Sequence, residues 1–222
     1  MEKKQKGLAS VMLPALSVFI ALCFWLQGCE GSVNSKNTDK YYSNDNDSDF
    51  DKGANKPPTV KTLYSLADIL SKQGKNAQAE SVLNKIIKDH PDFLPAWNSL
   101  AESQMRQGHI LEAVNTLSTA LTVSPKNPVL LNNMGMCRMI QQDYNKALEM
   151  FTAAAGVMPE NSRYRANMAV SLVFSGRDDE AMSLYRQILP EDQAEHNLNI
   201  IRTAREKRAE ESLIPVEDAQ KK

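Results

Sequence analysis

The sequence predicts an all-α fold, an α-solenoid of about four helix-turn-helix repeats closed by a C-terminal capping helix. Two observations carry this prediction. From Thr59 onward the chain repeats itself with a period of 34, and within each period the apolar residues recur at helical spacing. Leu63, Trp97, Leu131 and Arg165 share one register; Leu66, Leu100, Met134 and Met168 share the next, followed by Ala67, Ala101, Gly135 and Ala169. Later in each period stand Ala79, Ala113, Ala147 and Ala181, then Leu83, Leu117, Phe151 and Tyr185, then Ile86, Ala120, Ala154 and Ile188. A single aligned alanine carries little information, but four units agreeing at this many positions define a register.

Residues 1–28 read as a targeting segment. Lys3, Lys4 and Lys6 precede an uncharged apolar run from Leu8 to Leu26, the order of a secretory signal. A run of about 18 or more apolar residues also spans a bilayer as a helix, but Pro14 interrupts this one by removing a backbone donor. The run ends at Leu26-Gln27-Gly28-Cys29. This resembles the lipobox of bacterial lipoproteins, with Gln27 as a departure from the usual small or aliphatic residue. The resemblance implies that Cys29 becomes a lipidated N-terminus, and in a Gram-negative host Glu30 is compatible with sorting to the outer membrane. The alternative is an uncleaved signal anchor. Both readings tether the chain to a membrane and place the residues beyond 29 outside the cytoplasm, in the cell envelope.

Residues 29–58 are expected to form a lipidated flexible linker. The stretch "YYSNDNDSDFDKGANKPP" holds too little apolar surface to offset the entropy of ordering it. As a random coil it spans about 30 Å on average. Its "DNDSDFD" lacks the glycine and the terminal glutamate of a calcium loop, so it reads as solvated linker. Losing residues 1–28 removes three lysines and one glutamate, which takes the formal charge from −1 to −3; this is not the balance of a polybasic nucleic-acid binder. Of the three cysteines, Cys23 and Cys29 lie at the N-terminus and only Cys137 falls in the repeats, so no internal disulfide is available there.

The repeat domain is placed at 59–211, with units at 60–93, 94–127, 128–161 and 162–192, a capping helix over 193–211, and a disordered tail over 212–222. Gly74, Gly108 and Gly176 fall at the turn inside their units, where a positive φ is cheap for glycine. In the third unit Gln142 takes that place and Asp143 is available to cap the next helix. Pro91, Pro125 and Pro159 end three units, and in the fourth Pro190 comes early. The small residue of each first helix is expected to face the alanine of the second, as Gly135 faces Ala147. Leu198 and Ile201 are expected to cover the open end of the array, leaving a charged outer face.

This period and its small-large-small pattern resemble the tetratricopeptide repeat. The resemblance implies a right-handed superhelix whose first helices line a concave groove that binds protein segments. Groove positions then fall at Tyr64, Asp68 and Ser71; at Asn98, Glu102 and Met105; at Asn132, Met136 and Met139; and at Ala166, Val170 and Val173. The later ones form an apolar, methionine-rich stretch, a composition suited to adaptable recognition. Asn133, Asn167 and Asn197 either hold a peptide backbone or bond neighbouring helices. The basic pattern of a chaperone-type carboxylate clamp is absent, since Lys61 is not continued at Asn98, Asn132 and Met136.

Catalytic chemistry is not legible. His90, His109 and His196 do not pair at metal-ligand spacing, and there is no phosphate loop or nucleophile elbow. Asp178-Asp179-Glu180 opens a helix, where carboxylates favour the macrodipole. The expectation is a non-enzymatic protein with no cofactor, metal, nucleic acid or small-molecule substrate.

The segment from "NNMGMCRMIQQ" through "RANMAVSLVFSGRDDEA" to "HNLNI" resembles the TadD-type lipoproteins of tight-adherence (Flp) pilus loci over residues 95–201. That resemblance implies an outer-membrane assembly factor whose protein partner is a secretin or pilus-assembly subunit, and it supplies no catalytic residues. The other reading left open is a general envelope scaffold that recruits cell-wall enzymes or proteases.

Overall fold

A computed structural model describes residues 57–213; Cys29, residues 1–56 and the tail from 214 lie outside the described residues. Among the described residues all regular structure is α-helical. The helices are α1 (Val60–Lys72), α2 (Asn76–Asp89), α3 (Leu94–Arg106), α4 (Ile110–Val123), α5 (Pro128–Ile140), α6 (Tyr144–Val157), α7 (Ser162–Phe174), α8 (Asp178–Arg186) and α9 (Glu191–Leu213). They form two compact units, one up to Met134 and one from Gly135, with the division falling inside α5.

Local signals set the helix ends. The Thr59 hydroxyl accepts from the Thr62 amide at 3.2 Å, and Asn127 Oδ1 accepts from the amides of Val129 and Leu130 at 3.0 Å. Asp143 caps α6 through the Lys146 amide, and Asn161 caps α7 through the Arg163 amide. Each satisfies donors that the first helical turn leaves without partners. Pro91, Pro125 and Pro159 stand two residues beyond the ends of α2, α4 and α6. The turn glycines Gly74, Gly108 and Gly176 have φ of 72°, 79° and 79°.

Gln142 occupies the same turn position at φ 64°. A side chain in that region crowds the following carbonyl and costs about 1 kcal/mol or more. Gln142→Gly is therefore expected to raise stability by about 1 kcal/mol, read as a higher urea midpoint at unchanged slope. A midpoint equal to or below that of the parent would contradict the strain.

In the first unit Ala67, Leu83, Ile86, Phe93, Ala96 and Leu100 form a core, with Tyr64 edge-on to Phe93 at 5.4 Å. The Trp97 indole reaches back to the Pro91 carbonyl at 2.9 Å, so the proline turn and the apolar register are joined by one donor. In the second unit Ala147, Phe151, Ala169, Leu172, Ala181 and Tyr185 are buried together with Leu198 and Ile201 of α9. The capping helix thus covers the end of the array as expected, although it starts at Glu191 and runs to Leu213.

One expectation needs correction, and two features go beyond the repeat pattern. A side chain at Gly135 would meet Phe151. A Cβ placed on Gly135 would stand 2.5 to 2.9 Å from three ring carbons of Phe151. Ile188 does not close the fourth second helix, because α8 ends at Arg186, short of Pro190; proline disfavours helical geometry in the residue before it. Arg165, in the register of Leu63, Trp97 and Leu131, buries an Nε that has no hydrogen-bond partner among the described residues.

Cys137 is buried, and burial pushes its thiol up to about 12. Thiolate is the reactive form, so Cys137 is expected to resist alkylation at neutral pH until the repeats unfold. Modification of its peptide at the rate of an exposed thiol would show that α5 opens locally.

Candidate partner-binding groove

In the first unit, the residues that the repeat pattern assigns to the groove form a hydrogen-bonded strip along α1, α3 and the start of α5. The half-buried Tyr64 hydroxyl lies 2.9 Å from Ser99 Oγ. Arg106 donates from Nη2 to Ser71 Oγ at 2.8 Å. Asp68 is exposed and accepts from Lys72 at 2.8 Å, one turn along the same helix. Such an exposed pair adds little stability and leaves both charges facing solvent.

The centre of the strip is amide chemistry. Asn98 Nδ2 donates to Glu102 Oε1 at 2.9 Å. Asn133 Nδ2 donates to Asn98 Oδ1, and to Glu102 Oε1 at 3.3 Å. Asn132, almost fully buried, donates to Asn133 Oδ1 at 3.2 Å. Asn133 thus bonds neighbouring helices, which decides between its two readings. The network fixes the rotamers of Asn98 and Glu102, both half-buried, and leaves each with unused capacity. Asn98 keeps a second N–H, and Glu102 Oε2 has no partner among the described residues. A donor and an acceptor one helical turn apart are what an extended main chain can pair with. Met105 is half-buried at the end of the strip.

The sequence missed the pairs Tyr64–Ser99, Ser71–Arg106 and Asn98–Asn133. All three are 35 residues apart, one more than the repeat. Side chains that bridge consecutive first helices are therefore offset by one from those in equivalent positions. Polar residues matched at that offset were the available signal.

In the second unit the expected apolar groove is not open. Met139, Val170 and Val173 are buried, and Met136 is half-buried against the same core. The Ser171 hydroxyl donates to Met139 Sδ at 3.1 Å, tying α7 to the end of α5. The capping helix α9 packs on α7 and α8: Arg205 donates to the Val173 carbonyl at 2.7 Å and to Asp178 Oδ1 at 2.7 Å, and Arg202 donates to Asp178 Oδ2 at 2.9 Å. These apolar groups belong to the core that also holds Leu198 and Ile201 of α9. A separate shallow cleft is lined by Leu148, Thr152, Met168, Leu172 and Leu184, with the Arg177–Glu180 ion pair at its rim. No group of three or more potential metal ligands gathers among the described residues, and no helix among them is long and apolar enough to cross a membrane.

Comparison with known proteins agrees with this geometry. A tetratricopeptide repeat family model matches residues 64–128, and a second matches residues 138–199. The chain belongs to the tetratricopeptide repeat family. Tetratricopeptide repeats are protein-interaction modules, and this tetratricopeptide repeat protein shares their all-helical α-solenoid fold. It is similar in fold to the crystal structure of the MamA protein, at 13% identity over 69% of this chain and 86% of that one, with a TM-score of 0.56. It is similar to the thermophilic repeat protein TTC0263 of Thermus thermophilus, at 22% identity over 67% and 82%, TM-score 0.55. It is also similar to PilF of Pseudomonas aeruginosa, at 18% identity over 68% and 69%, TM-score 0.55. No curated protein sequence matches.

Proposed function

We propose that this tetratricopeptide repeat protein is a membrane-tethered adaptor that holds an extended segment of a protein partner against the strip formed by Tyr64, Asp68, Asn98, Glu102, Met105 and Asn132. The partner is a secretin or another assembly subunit of a tight-adherence pilus, and the tether is lipid on Cys29. The observation that carries the groove is the wired Asn98–Glu102–Asn133 network. It fixes one donor and one acceptor at the surface through amides that also bond neighbouring helices. What supports the tether is the Gly28-Cys29 boundary after an apolar run, and what supports the pilus is the resemblance of residues 95–201 to TadD-type lipoproteins. A linker of about 30 Å allows the strip to reach a partner in the periplasm.

Asn98→Ala combined with Glu102→Ala removes both pairing groups, and with them the acceptors of Asn133. In the host, this variant is expected to remain folded and membrane-bound yet to lose co-purification of the secretin and to lose surface fimbriae. Normal fimbriation by the variant would remove the strip as the working surface. Unchanged fimbriae and secretin multimers after deletion of the whole gene would remove the pilus role and favour the envelope scaffold.

A further inference from the structure

Glu102 brings to the strip a charge that main-chain pairing does not require. Neutral groups suffice to pair an extended main chain, and Asn98, Asn132 and Asn133 supply them. Glu102 sits half-buried among these amides, where a charge without a counter-charge is costly. Its donors among the described residues are the amides of Asn98 and Asn133. A cation stands within reach but is directed elsewhere. One repeat earlier, Asp68 holds the same register and takes Lys72, four residues along α1, at 2.8 Å. Arg106 stands at the same spacing from Glu102 along α3, yet it donates to Ser71 Oγ of α1 at 2.8 Å. The ion pair that closes on itself in α1 is therefore left open in α3.

The carboxylate geometry selects the cation that fits. Oε1 accepts from both amides, at 2.9 and 3.3 Å, which uses its two lone pairs. The bidentate fork of an arginine needs both oxygens, and one is taken. Oε2 is left for a single point charge, the form a lysine ammonium has. Half-buried Met105 stands three residues further along the same face of α3, where the apolar stem of a lysine can lie while its head reaches the carboxylate. We propose that Glu102 is the specificity-determining residue of the strip, and that the partner segment carries a lysine whose ammonium pairs with Glu102 Oε2. This rests on the reading of the strip as the binding surface. The two amides already hold the carboxylate in one orientation, so little ordering is left for the binding step.

The test uses the full chain in host membranes. Glu102→Gln keeps the shape and an oxygen for Asn98 and Asn133 but removes the charge. It is expected to weaken retention of the partner about tenfold to a hundredfold, with unchanged helical circular dichroism of the purified protein. A carbodiimide, which joins a carboxylate to an amine without a spacer and does not couple guanidinium groups, is expected to link Glu102 to a lysine of a second protein, read as the linked peptide pair by mass spectrometry. Full retention by Glu102→Gln, with loss in the Asn98→Ala, Glu102→Ala variant, would overturn the lysine and leave the strip in place. Loss with Glu102→Gln but no link from Glu102 would overturn it in favour of arginine. A link from Glu102 to a lysine of the chain itself, residues 1–56 included, would assign the carboxylate to an internal contact. Retention by the double-alanine variant as well would remove the strip reading, and this proposal with it.

Discussion

Gly135→Ala is expected to destabilise the second unit, although alanine is the better helix former by about 1 kcal/mol. The new methyl group would stand 2.5 to 2.9 Å from the Phe151 ring, and Phe151 is fully buried, so the ring has no free space to enter. Overpacking of this kind costs about 1–3 kcal/mol, and these contacts belong at the upper end. The control is Phe151→Leu, which alone loses packing but removes the opposing edge. The two substitutions together are expected to be less harmful than their separate costs added, with a coupling of about 1–3 kcal/mol. Urea denaturation of the four proteins gives the cycle. Additive costs would show that Gly135 and Phe151 do not share the space.

The second large effect is expected at Asp178. It takes Arg202 and Arg205 of α9 and sits at the start of α8, where its charge also favours the helix dipole. Burial acts to raise its pKa, but the hydrogen bonds from Arg205 and Arg202 outweigh this, and the carboxyl is held below its ordinary 3.8. Asp178→Ala takes the carboxylate from both guanidinium groups, leaving Arg205 its bond to the Val173 carbonyl, and is expected to cost about 1–3 kcal/mol, with α9 the first element to loosen. The sign of the pH dependence comes from the lowered pKa. The unfolded chain binds this proton more readily than the folded one. The stabilisation is therefore complete above the unfolded pKa and disappears as the pH falls through the folded one. Parent and variant should differ fully at pH 7 and converge in acid, below the ordinary carboxylate range of about 4. A difference that persists undiminished at the acid end would place the cost in packing rather than charge.

The fold was legible because a repeat states its periodicity several times. Ala79, Ala113 and Ala147 needed no structure to be placed, since each must admit a neighbouring helix, and all are fully buried. The turn at Gln142 was legible for the same reason: three glycines in equivalent places showed what the backbone does there. What the period did not reveal were contacts that break it. Phe151 fills the space beside Gly135 because it replaces the leucines of the preceding units with a longer ring. The amide strip was hidden by its 35-residue offset. Met139, Val170 and Val173 were read as open surface because their register is a groove register, whereas the cap at the end of the array draws them into its core. An end effect of this kind is set by which helix comes last, and no single unit of the repeat encodes it.

The central claim is that the strip on the first helices is the working surface. Site-specific photocrosslinking in the host tests it most directly. A photoreactive residue is placed at exposed Asp68 or half-buried Met105, and for comparison at Leu111, which is 69% exposed on the second helix of its repeat. A working strip gives one adduct of the same mass and identity, a second protein species, from Asp68 and Met105, and none from Leu111. An adduct formed from Leu111 with equal yield, or none from either strip position in cells that retain the folded protein, would contradict it.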